Sequence, residues 1–74
     1  MHVVLYTIGC PKCDVLEKKL RDAGIKFEAV TQISVMARKG MNELPVLEVD
    51  GERMSFAQAV SWIKTEGEKN GLTS

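Results

Sequence analysis

Apolar positions mark out seven short segments along the chain. Val3-Val4-Leu5-Tyr6-Thr7 is continuous and rich in β-branched residues, as expected of a strand buried on both faces. Ile8-Gly9 ends it and turns the chain. From Pro11 the period changes. Cys13, Leu16, Leu20 and Ala23 recur at spacings of three and four, which places them on one face of a helix. Asp14–Lys18 and Glu17–Arg21 are favourable i,i+4 pairs on its polar side, and Gly24 is the expected C-cap. Ile25-Lys26-Phe27-Glu28-Ala29-Val30 alternates over its first residues and reads as a second strand. A short helix over residues 32–39 follows, with Thr31 as cap, Ile33, Met36 and Ala37 inward, and Gly40 as stop. Val46-Leu47-Glu48-Val49 reads as a third strand. Asp50-Gly51 is a strong hairpin signal, so Glu52-Arg53-Met54 should return antiparallel. Ser55-x-x-Gln58 is a capping box opening a last helix. Phe56, Ala59, Val60 and Ile63 form its apolar face, and Gly67 is its expected end. Residues 67–74 then read as a polar, frayed tail behind a single domain of residues 1–66.

The order βαβαββα begins with a βαβ unit, hence a parallel strand pair. Seventy-four residues are enough for one small core. Ten basic and ten acidic side chains leave no net charge, so nothing points to nucleic acid or an anionic membrane. The sequence shows neither a signal-peptide pattern nor an apolar run long enough to span a bilayer, and a cytoplasmic protein is the expectation.

The two cysteines, Cys10 and Cys13, change the picture. A Cys-x-x-Cys between a strand and a helix in a small α/β pattern reads as a redox-active dithiol. Cys10 falls at the N-terminal tip of the helix, where unpaired N–H groups and the helix dipole favour an anion. Pro11 suits the first helical position, and Lys12 adds a cation. Cys13 lies on the apolar stripe. Cys10 is therefore the expected nucleophile and Cys13 the resolving thiol. Half of a zinc site is the bland alternative. It would need a second chain, because His2 is the lone histidine and no other Cys pair exists. Tyr6 reads as a strand residue beside the dithiol, and Trp62 as helix packing.

Tyr6-Thr7, Cys10-Pro11-Lys12-Cys13, Leu44-Pro45-Val46 and the Asp50-Gly51 hairpin together resemble the glutaredoxin-like small redoxins of the thioredoxin-fold superfamily. The resemblance runs from about residue 2 to about residue 66. It implies a minimal α/β thioredoxin/glutaredoxin fold, with a four-stranded mixed sheet, helices on both faces and the dithiol at one edge. It implies a cis Leu44-Pro45 bond. It also implies a substrate-binding surface at Leu44, Pro45, Ser55 and Phe56, with Pro11, Lys12 and Tyr6 supporting the two cysteines. The implied activity is dithiol thiol–disulfide exchange by a monomer, reducing a disulfide substrate protein or small-molecule disulfides, with no cofactor. Glutathione or a thioredoxin reductase would supply the electrons. The competing classes are an iron–sulfur cluster-binding module and a non-enzymatic adaptor. Lys12 stands where many glutaredoxins have Tyr. Arg53-Met54-Ser55-Phe56 stands where many carry Gly-Gly-x-Asp, and that departure argues against glutathione.

Overall fold

The computed structural model describes residues 2–69. The elements are β1 (Val3–Tyr6), α1 (Pro11–Asp22), β2 (Glu28–Val30), α2 (Ile33–Arg38), β3 (Val46–Val49), β4 (Glu52–Met54) and α3 (Phe56–Lys69). They form one mixed sheet in the order β2-β1-β3-β4. β1 pairs parallel with β2, with Val4 opposite Glu28 and Tyr6 opposite Val30. β1 pairs antiparallel with β3, which pairs antiparallel with β4.

All four residues of β1 are buried, because the sheet is covered on both faces. Val3 and Leu5 point to one side and join Leu47 of β3 and the apolar stripes of α1 and α3, Leu16, Leu20, Ala59 and Ile63. Val4 and Tyr6 point to the other and meet Met36 of α2. The period-two alternation of a strand thus divides a single run of apolar residues between two cores.

α1 ends in a Schellman motif. Ile25 N–H donates to the Leu20 carbonyl and Gly24 N–H to that of Arg21, with Gly24 at φ +71°. This motif explains why β2 is shorter than the alternation implied. Ile25 is the buried residue that closes the helix end against Leu20, and the strand begins only at Glu28. α2 closes in the same way, through Gly40 to Ala37 and Met41 to Met36. Its start differs from the sequence reading. Gln32, not Thr31, is the N-cap, and its side chain makes no capping bond. Met36 is buried as expected, but Ile33 is 72% exposed and Ala37 is also exposed. A helix of six residues lays less than two turns on the sheet, so one residue per turn suffices to anchor it.

On α1, Glu17 pairs with Arg21 at 2.7 Å, but Lys18 reaches forward to Asp22 at 3.5 Å rather than back to Asp14. The Asp50-Gly51 turn has positive φ at both residues, +49° and +88°, as a two-residue hairpin of this type requires.

Gly67 does not stop α3. The helix passes through it to Lys69, so the expected domain edge at residue 66 falls inside a helix. Gly67 is buried, and a Cβ built on it would lie 3.3 Å from the Ala23 Cβ. The glycine is there because α1 and α3 approach closely at their ends. The part of the expected tail at residues 70–74 lies outside the described residues.

Candidate active site

The site lies at the sheet edge where β1 and β2 end, β3 begins and β4 leaves. β1 continues for one residue through Thr7, whose N–H donates to the Val30 carbonyl at 3.0 Å. Thr7 is 5% exposed. Its Oγ1 accepts the Gly9 N–H at 3.1 Å. Gly9 takes φ +79°, and Cys10 follows in an extended conformation as the N-cap of α1.

Cys10 has the position the sequence assigned to it. Its carbonyl accepts the Asp14 N–H at 2.9 Å, and its Sγ accepts the Cys13 N–H at 3.2 Å. The sulfur therefore fills the place of a capping oxygen. Pro11 occupies N1, where no N–H is lost. Cys10 is half-buried, while Cys13 is fully buried, on the stripe with Leu16 and Leu20. The two are joined as a disulfide with Cα atoms 5.0 Å apart, within the usual range for a bridge. Reduction of this pair leaves one thiol at the surface and one beneath it.

Beside the dithiol runs a groove of about 320 Å³. Met41, Leu44, Pro45, Val46, Met54 and Phe56 give it apolar walls. Lys12, Glu43 and Arg53 bring charge to it. The Leu44-Pro45 peptide is cis, as the resemblance implied. Pro45 is buried and immediately precedes β3. Four residues expected at the substrate surface, Leu44, Pro45, Ser55 and Phe56, thus share one groove with Lys12. Lys12 Nζ lies 5.5 Å from the centroid of the Phe56 ring, within cation–π range.

Ser55 and Gln58 close the expected capping box at the start of α3. Gln58 Oε1 accepts the Ser55 N–H at 3.0 Å, and Ser55 Oγ accepts the Gln58 N–H at 3.4 Å. Two donors at this end of the groove are thereby already satisfied.

Tyr6 is buried as a strand residue, but its hydroxyl is directed to Glu48 Oε1 at 3.4 Å, on the α2 side of the sheet. Glu48 in turn lies 3.8 Å from Arg53 Nε, and Lys39 Nζ sits 5.6 Å from the Tyr6 ring centroid. The sequence reading placed Tyr6 with the dithiol. The structure ties its polar end to this cross-strand pair. That reading gave no site role to Thr7, Glu43, Met41 or Met54. Thr7 had a signal, a Thr two residues before a Gly at a strand end, which suits a side-chain turn.

Among the described residues, no helix is long and apolar enough to cross a membrane. No protein-family model matches the chain. A thioredoxin of Methanothermobacter thermautotrophicus is 38% identical over 67 residues, covering 82% of this chain and 87% of the relative. Two solved structures share the fold. A Nu-class GST from Haemonchus contortus superposes with a TM-score of 0.71 at 26% identity, over 90% of this chain and 36% of that one. Na-GST-3, a glutathione S-transferase from Necator americanus, gives 0.65 at 22% identity, over 96% and 37%. The chain spans little more than a third of either transferase. The likeness to the thioredoxin runs through most of both chains, and the Cys10–Cys13 pair is seated as thiol–disulfide exchange requires: the chain belongs to the thioredoxin family.

Proposed function

We propose that the chain is a small dithiol redoxin that reduces disulfides in protein substrates, with Cys10 as nucleophile and Cys13 as resolving thiol. The observation that carries this reading is the Cys13 N–H on Cys10 Sγ at a helix N-terminus. A thiolate there gains a hydrogen bond and a favourable dipole, which Cys13 in its apolar surroundings does not.

The Cys10 thiolate attacks one sulfur of a substrate disulfide. An S–S bond forms to Cys10, the substrate S–S bond breaks, and one substrate thiolate leaves and takes a proton from water. Cys13, deprotonated, then attacks Cys10 Sγ and expels the second substrate thiolate. The protein is oxidised by two electrons and ends with the Cys10–Cys13 disulfide seen here. The groove beside Cys10 receives the residues flanking the substrate cysteine. Its walls from Met41, Met54 and Phe56 suit apolar side chains, and the flexible methionines suit more than one.

A thioredoxin reductase, rather than glutathione, is the proposed electron donor. The thioredoxin relative supports this choice. So does the closed Ser55–Gln58 capping box, which leaves the α3 terminus with fewer free donors for a small anionic peptide. The test is coupled turnover. Oxidised protein is offered either a thioredoxin reductase, or glutathione with glutathione reductase, each with NADPH. Consumption of NADPH in the first assay supports the reading. Consumption in the glutathione assay alone overturns the choice of donor, and none in either overturns the oxidoreductase.

A further inference from the structure

The nucleophile is held by a chain of bonds that begins before the Cys-x-x-Cys motif. Thr7 is the buried polar side chain at this edge, 5% exposed. Its N–H is committed to Val30, which pins its backbone to the sheet. Its Oγ1 holds the Gly9 N–H at 3.1 Å. Ile8 between them is 54% exposed. Gly9 takes φ +79°, with open space where a Cβ would be. Glycine is the residue with the most freedom to lose. The Thr7 hydroxyl thus holds the glycine that directly precedes Cys10.

Resting on the reading of Cys10 as nucleophile, we propose that Thr7 is a positioning residue for the reaction: its hydroxyl, by holding the Gly9 N–H, aims the Gly9–Cys10 segment so that Cys10 Sγ sits on the Cys13 N–H. The sulfur and that N–H meet only if Cys10 keeps its extended N-cap conformation. Removing the hydroxyl leaves the Gly9 N–H without its acceptor and frees the glycine. Cys10 then spends part of its time off the helix end, and its thiolate loses the bond that favours it. The charged groups around this edge are Lys12 and Asp14 of α1, Glu43 of the loop before β3 and Arg53 of β4. None of them is altered by a change at Thr7.

The experiment measures the rate of iodoacetamide alkylation of reduced protein against pH, with the labelled cysteine identified by mass spectrometry. Thr7→Val keeps the side-chain shape and removes the hydroxyl, while Thr7→Ser keeps the hydroxyl. Thr7→Val is expected to raise the Cys10 midpoint by about one pH unit, with the tenfold loss of thiolate at a fixed acidic pH that such a rise entails. Thr7→Ser is expected to keep the wild-type midpoint. A folded Thr7→Val protein with the wild-type profile overturns the proposal. So does a Gly9 amide in reduced wild-type protein that exchanges with solvent at the rate of an open loop, and this measurement does not depend on the variant folding. The parent reading fails separately, if wild-type protein is labelled at Cys13 before Cys10.

Discussion

The Cys13 N–H donates to Cys10 Sγ across 3.2 Å, so the backbone of the proposed resolving residue holds the sulfur of the proposed nucleophile. The two side chains have opposite environments three residues apart. Cys10 is half-buried at the helix tip, and Cys13 is fully buried on one helix stripe with Leu16 and Leu20. In the reduced protein Cys10 should therefore be alkylated first at neutral pH. Its rate should be half-maximal below the free-thiol value of about 8.5. Iodoacetamide labelling followed by peptide mass mapping checks both statements, and faster labelling of Cys13 would reverse the assignment.

The same asymmetry sets the behaviour of the cysteine variants. Cys10→Ser should abolish turnover of any disulfide. Cys13→Ser keeps the attacking thiol and loses the resolver, so it should accumulate a mixed disulfide with substrate. Turnover should return only in part, with an external thiol. Non-reducing gels of Cys13→Ser incubated with a disulfide-bonded protein read this directly, and a variant that traps nothing contradicts the mechanism.

Lys12 offers an electrostatic test that leaves both sulfurs in place. Its ammonium lies over the Phe56 ring, at the groove and beside the helix terminus that carries Cys10. Lys12→Glu puts a negative charge where an anion must form. Alkylation of Cys10 should slow several-fold at low ionic strength. The deficit should narrow toward 1 M salt, where the screening length falls to about 3 Å. A deficit indifferent to salt would mean that Lys12 acts through packing.

How far the sequence could be read depended on which partner each residue needed. Seven elements in the observed order and the capping box at Ser55 and Gln58 follow from local signals, whereas the sheet edge carrying the dithiol came from the resemblance to the small redoxins. A helix tip, a turn and a cap are each made by residues near in sequence. The failures came where a distant residue decided the outcome. Gly67 has the form of a stop signal, but the approach of Ala23 on α1 gives it a place inside α3. Ile25 begins an alternating run, but Leu20 draws it into a helix end. Ile33 fits a helical period that is too short to bury it. The groove itself was legible only in part, since Met41, Glu43 and Arg53 come to it from separate segments.

The capping box at α3 separates stability from chemistry. Ser55 Oγ satisfies the Gln58 N–H, and Gln58 Oε1 satisfies the Ser55 N–H. Ser55→Ala should cost about 1 kcal/mol in urea unfolding. Because Ser55 caps α3 and not α1, the pH profile of Cys10 alkylation should stay at the wild-type midpoint. A shifted profile would show that the two helix ends are coupled through the groove.

Gly67 allows the last prediction, because its two readings have opposite consequences. If it were a helix stop in an exposed tail, a larger side chain there would meet only solvent, and stability would hardly change. In the structure it is buried in α3, and a Cβ would already press on the Ala23 Cβ at 3.3 Å. Alanine gains up to about 1 kcal/mol of helix propensity over glycine, which offsets a mild clash. Gly67→Ala should therefore stay close to wild type. Leucine adds three further carbons where α1 and α3 meet and must push the helices apart. Gly67→Leu should lose about 1–3 kcal/mol, the usual cost of overpacking. Urea unfolding of the oxidised protein measures both variants. The Cys10–Cys13 pair lies at the other end of α1, so alkylation of the reduced, folded variants should match wild type. A Gly67→Leu protein as stable as wild type would show that α3 leaves α1 before residue 67.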